Sequence, residues 1–230
     1  VAYLRALLEA NDWVVANPKL AAEDVDQWTH IDKEVVYMFL GPQGIMTLDP
    51  TIKPAWIKAM NYDVGVLRKL GKITDFDVNR WVNDRFIREA FAQRGMNYDK
   101  QLASNSGTSV HGYDTYCKRN VVYTALAGEI WLADNDTLHP YSSPSCMLGA
   151  LAQFQREGKK IDVAYLFDRH FGIKVFADKA FYSVDPRDKQ DSVVPFLLKK
   201  DAEAYAAKTG GKLMSYDQAL ASTAQIAGHM

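Results

Sequence analysis

Reactive sulfur is scarce in this chain. Its 230 residues hold two cysteines, Cys117 and Cys146, and no CxxC pair. That excludes a cysteine-dense disulfide scaffold and a zinc site built from closely spaced thiolates. An excess of one charge is missing too: Lys and Arg total 27 against 28 Asp and Glu, a formal net charge of −1. No strong electrostatic pull on nucleic acid or an anionic membrane follows from such a balance. Apolar runs such as "VVYMFLG" fall well short of the ~20 residues that span a bilayer. GxSxG, HExxH and phosphate-loop motifs are absent, and the acids form no spaced pair suited to acid–base work. The expectation is a protein that is not an enzyme, contacts no nucleic acid and has no membrane span.

What is present suits a globular protein, with 48% hydrophobic and 24% charged residues. The length allows one large domain or two small ones. The first residue is Val1, with no basic-then-apolar leader after it. This is the pattern of a processed chain or of a piece of something longer. The closing "GHM" resembles a cloning remnant.

Residues 1–103 read as helices only. Leu4, Leu7, Leu8, Val14 and Val15 fall on one helical stripe. Asn17-Pro18 ends that helix and opens "KLAAEDVDQWTH". Asp32 can cap "KEVVYMFLG", and "GPQGIMTLDPTIKP" is a loop. Trp56, Met60, Val64, Leu67 and Leu70 mark a further helix. Val78, Trp81, Val82, Phe86 and Ala90 predict one more, closed by Gly95. The methionines Met38, Met46, Met60 and Met96 and the tryptophans Trp13, Trp28, Trp56 and Trp81 read as core filler.

"SNSGTSVHG", residues 104–112, is small, polar and glycine-containing, as linkers are. Beyond it "VVYTALAGEIWLAD" predicts a hairpin turning at Ala127-Gly128, with Trp131 buried. The helix "PSCMLGALAQFQREGK" follows, with Pro144 in its first turn. "IDVAYLFD", "KAFYSVD" and "VVPFLL" are strands. "KKDAEAYAAKTGG" is a helix closed by Gly210, and "KLMSYDQAL" is a strand running into a last helix. The expected fold class is α+β: an all-helical 1–103, a linker at 104–112 and a ββαββ(β)αβα domain over 113–230.

Cys117 precedes a strand, and Cys146 opens a helix whose N-terminus favours a thiolate. Three arrangements stay open: a disulfide, a soft-metal site and two unconnected thiols. A disulfide would close a loop of about 30 residues and add roughly 3–4 kcal/mol. A Cu(I) site would use Cys117, Cys146 and Met147 for their soft donors, with nitrogen from His111, His139 or His170. His139 lies in "NDTLHPYSSPS", read as a turn. Asp168 in "DRH" can either orient His170 behind a metal or simply shape a surface turn.

Two family resemblances add to this. "YLRALLEANDWVVANPKLAAEDV" and "GKITDFDVNRWVNDRFIREAFAQRGMNYD", within residues 2–103, resemble the C-terminal part of solute-binding proteins of nitrate, taurine and sulfonate ABC transporters. Most of that family's sheet and its first lobe have no counterpart here. "YLFDRHFGIKVFADKAFYSVD" and "VVPFLLKKDAEAYAAKTGGKLMSYDQAL" resemble NosL, a copper-binding accessory protein of nitrous oxide reductase assembly, over about residues 113–222. NosL-type chains begin this domain with a CxxCGM-like segment, where this chain has "YDTYCKRN". Their "PMG" is here "QDSVVPF". Together the resemblances imply a periplasmic, non-enzymatic copper-binding accessory protein or metallochaperone, with Cys117, Cys146, Met147, His139 and His170 as the metal set. Its partner would be a target of metal delivery. The alternatives are a component of an ABC importer, with transporter subunits as partners, and a structural subunit docking through its helical half.

Overall fold

The computed structural model describes residues 1–104, 109–188 and 191–223. Positions 105–108 of the expected linker and the terminal Gly-His-Met lie outside the described residues. The chain divides into two units: Val1–Asn17 with Thr47–Ser106, and Pro18–Met46 with Gly107–Met230. Residues 18–46, grouped by sequence with the helical first part, thus pack with the second unit.

The first hundred residues form α1 (Ala2–Ala16), α2 (Pro18–Thr29), α3 (Lys33–Leu40), α4 (Pro54–Lys69), α5 (Val78–Trp81), α6 (Arg85–Gln93) and α7 (Tyr98–Ala103). Unit one is built from α1 and α4–α7 around Leu8, Ile87, Ala90, Phe91 and Tyr98. The single helix expected from Val78 onward is broken. Val82 is extended, the Asn83 side chain accepts the Arg85 N–H at 3.1 Å, and Asp84 pairs with Arg88 at 2.6 Å. These short polar side chains offer the backbone a local alternative and restart the helix. The break rotates Trp81 and Phe86 out of the predicted stripe, and both are exposed. Trp13, Trp28 and Met46, expected as core, are exposed as well.

Unit two holds β1 (Tyr113–Asp114), β2 (Arg119–Asn120), β3 (Gly128–Leu132), β4 (Thr137–Tyr141), α8 (Pro144–Arg156), β5 (Ile161–Phe167), β6 (Lys174–Phe176), β7 (Phe181–Val184), β8 (Val193–Phe196), α9 (Lys199–Thr209), β9 (Leu213–Met214) and α10 (Tyr216–Thr223). The fold class is α+β, a helical N-terminal region followed by a strand-rich one. The sheets run β4-β3-β5-β6 and β8-β7-β9, and β1-β2 forms a separate hairpin.

The expected turn at Ala127-Gly128 is not a turn. Thr124–Leu126 is a single 3-10 turn, and Gly128 opens β3. The hairpin joins β3 to β4 through Ala133–Asp136, with Asp136 at φ 52°. Aspartate and asparagine tolerate that left-handed backbone better than most residues. His139 therefore lies on a strand rather than in a turn. Its neighbour Pro140 is accommodated because β4 is at the sheet's edge.

Every residue of β3 is buried because both faces of its sheet are covered. Ile130 and Leu132 meet Met147, Leu148 and Leu151 of α8 in one cluster. Trp131, of opposite parity, joins Tyr165 against Ala22, Val36 and Tyr37 of α2 and α3. The first of these two layers carries the candidate site.

Candidate metal centre

The β1–β2 hairpin carries Cys117 in its turn. Asp114, fully buried, sets that turn through Oδ1, which accepts the backbone N–H of Tyr116 at 2.9 Å and of Cys117 at 2.8 Å. This is the local bond aspartate makes to the amides that follow it. Oδ2 accepts from the Ser142 N–H at 2.9 Å and the Ser142 hydroxyl at 2.6 Å. One carboxylate thus joins the cysteine turn to the approach of α8. Lys118, at φ 55°, completes the turn.

Pro144 begins α8 with its fixed φ, and the Ser143 hydroxyl caps it by accepting the Cys146 N–H at 3.2 Å. Cys146 is therefore the third residue of the helix, facing the hairpin. Cys117 and Cys146 form a disulfide with Cα atoms 5.8 Å apart. Of the three arrangements left open by the sequence, the oxidised structure takes the first. With its ends 29 positions apart in sequence, this link is worth about 3–4 kcal/mol by the loop-entropy argument.

A guanidinium covers one sulfur. Arg119 Nη2 lies 3.4 Å from Cys146 Sγ and donates to both oxygens of Asp191, at 2.8 and 3.0 Å. Its Nε donates to the Ser142 hydroxyl at 2.5 Å. Asp191 also accepts a short hydrogen bond from the Ser143 hydroxyl. Ligand atoms of Asp114, Cys117 and Cys146 lie within 4.8 Å of one another, all three residues being buried.

His139 and His170 are not part of this group, and Met147 shares the core cluster of the two cysteines. Met147 is fully buried and packs toward β3, where a methyl on Gly128 would meet its Cβ and Cγ at 2.7 Å. His139 places its ring 5.9 Å from that of Phe154, further along α8. Its Nε2 is buried without a partner among the described residues, and burial lowers its pKa below 6.5. His170 meets the Phe171 ring edge-on in an exposed turn. Asp168 holds that turn through the His170 backbone N–H at 2.9 Å and the Leu197 N–H at 2.6 Å, not through the imidazole. These bonds are those of a structural turn.

Asp114, Arg119 and Asp191 escaped the sequence reading. The D-x-x-C spacing of Asp114 and Cys117 is a legible turn signal. Asp191 is 72 residues from Arg119, and no local pattern announces that pair.

No family model matches the chain, and no curated protein does. Among solved structures the chain is similar to the crystal structure of the copper chaperone NosL from Shewanella denitrificans. The identity is 17% and the TM-score 0.39, over 46% of this chain, in its C-terminal half, and 88% of that one. The comparisons lend no support to the solute-binding resemblance of residues 2–103. Among the described residues no helix is long and apolar enough to cross a membrane.

Proposed function

We propose that this is a non-enzymatic, extracytoplasmic accessory protein that carries Cu(I) on Cys117 and Cys146 in its reduced form and passes it to a protein target. The observation that supports this is the pair of sulfurs beside Asp114, with ligand atoms within 4.8 Å. As a disulfide the sulfurs are neutral and poor ligands. Reduced, they offer two thiolates, the donors Cu(I) prefers. The Asp114 oxygens already accept four hydrogen bonds, so this carboxylate positions Cys117 rather than ligating. A disulfide also belongs to an oxidising compartment, which favours a periplasmic or otherwise extracytoplasmic setting.

Titration of reduced and oxidised protein with Cu(I) against a competing chelator tests this reading. One tightly held equivalent is expected in the reduced form and none in the oxidised form. Equal retention by both forms, or by neither, overturns it.

A second reading, a structural subunit docking through its helical unit, is favoured by the exposure of Tyr3, Tyr62, Leu70 and Trp81. Tight Cu(I) binding by the thiol-free Cys117→Ser/Cys146→Ser variant would exclude both sulfurs as the ligands and leave this reading standing.

A further inference from the structure

The two sulfurs of the disulfide sit in unlike surroundings. Cys146 Sγ has the Arg119 guanidinium at 3.4 Å and lies in the first turn of the 13-residue α8. The partial positive charge of a helix N-terminus favours negative charge there. Cys117 has neither. The buried Asp114 carboxylate lies within 4.8 Å of both sulfurs and opposes negative charge on either, so the guanidinium and the helix N-terminus make the difference. Access differs in the same direction. Cys117 is 9% exposed and Cys146 1%, and Thr115 and Lys118 beside Cys117 are exposed. The charged groups facing the pair are Asp114 on β1, Arg119 on β2 and Asp191 in the segment before β8, the last sharing the charge of Arg119.

We propose that this disulfide is a directional thiol-exchange site: a dithiol reductant attacks Cys117, and Cys146 is the sulfur that leaves. The inference deepens the metal reading, since reduction is what opens the proposed ligand pair. A thiolate of the reductant gives its electron pair to Cys117 Sγ and forms a mixed disulfide. The Cys117–Cys146 bond breaks, and its electron pair goes to Cys146 Sγ, held by Arg119. The reductant's second thiolate then attacks its own sulfur in the mixed disulfide and displaces Cys117, which takes a proton from water. Two electrons enter the protein, and the reductant leaves as a disulfide. Exchange runs faster when the leaving sulfur bears its charge more readily, and attack falls on the reachable sulfur. A charge-assisted bond from a guanidinium supplies the first condition. The hairpin supplies the second: Cys117 lies in its turn, with Thr115 and Lys118 exposed around it.

The test uses the full, metal-free chain. It is incubated with reduced glutathione, quenched with N-ethylmaleimide, and digested with trypsin. Lys118 and Arg119 place the two cysteines on different tryptic peptides. Glutathione on Cys117 with maleimide on Cys146 is expected to exceed the reverse pattern about tenfold. Arg119→Lys keeps the preference. Arg119→Ala, with its fold checked by circular dichroism, brings the two patterns toward parity and slows reduction about tenfold. Equal labelling in the wild type, glutathione chiefly on Cys146, or a disulfide inert to glutathione overturns the proposal. So does an unchanged preference in a folded Arg119→Ala. Should that variant not fold, the wild-type pattern decides. Metal takes no part in the assay, so a failed copper titration leaves this labelling pattern free to stand or fall.

Discussion

Lys174 Nζ lies 2.7 Å from Glu129 Oε2, and the two side chains are almost wholly shielded from water. The Tyr37 hydroxyl donates to the other Glu129 oxygen at 2.7 Å, and the ammonium sits 3.8 Å from the Tyr37 ring centroid. A strand from the middle of the sheet, an edge strand and α3 are thereby locked together. Burial pulls the Lys174 pKa down, and Glu129 opposes that shift. Such a pair contributes little net stability against an apolar substitute, but breaking it leaves a buried charge alone.

Glu129→Gln and Lys174→Met are therefore each expected to cost about 3–5 kcal/mol in urea unfolding, whereas Lys174→Met with Glu129→Leu recovers most of that loss. Equal losses in the single and double variants would show that packing, not the lone charge, sets the cost.

Gly149 lets α8 approach the cysteine turn. A Cβ there would meet ring atoms of Tyr116 at 2.5–2.6 Å, and Tyr116 immediately precedes Cys117. Gly149→Ala gains about 1 kcal/mol in helix propensity but must displace that ring, at about 1–3 kcal/mol. The expected net result is a loss of about 1 kcal/mol in unfolding free energy with faster reduction of the disulfide. A more stable variant with an unchanged reduction rate would count against close packing here.

Because neither histidine joins the Asp114–Cys117–Cys146 group and Met147 lies against Gly128 through its Cβ and Cγ, Met147→Leu, His139→Phe and His170→Ala should leave Cu(I) affinity of the reduced protein nearly unchanged. Cys117→Ser or Cys146→Ser should abolish tight binding. Asp114→Asn, which disturbs the positioning of Cys117, should weaken it by about 10–100-fold. Chelator competition measures all six, and strong loss in either histidine variant would restore the wider metal set.

His139 makes stability depend on pH. Burial lowers its folded pKa below 6.5, so on acidification the unfolded chain binds the proton first. Its contribution is full above about pH 6.5 and is lost as pH falls through the depressed folded value. The urea midpoint should drop between pH 7.5 and pH 5, and His139→Phe should show a shallower drop. Parallel slopes for the two proteins would remove His139 as the cause.

Local patterns were legible in the sequence. Pro18 and Pro54 open helices, Gly210 closes α9 in the left-handed region at φ 74°, and the runs "IDVAYLF" and "FYSV" mark β5 and β7. The α+β class and the disulfide alternative followed from such signals and from the count of two cysteines. The interrupted helix after Trp81 and the turn at Ala133–Asp136 were misread, because short polar side chains there redirect a backbone whose apolar pattern suggests otherwise.

The sequence by itself determined which residues favour helix, strand or turn, and that only two thiols were present to pair. Tertiary structure alone decided that α2 and α3 cover the second unit's sheet, that His139 sits on an edge strand beside Phe154, and that Arg119 and Asp191 meet over Cys146. Periodicity and capping act over a few residues and can be read along the chain. Pairings between residues tens of positions apart depend on how sheet faces are covered and on where buried charges find partners, which no local pattern encodes.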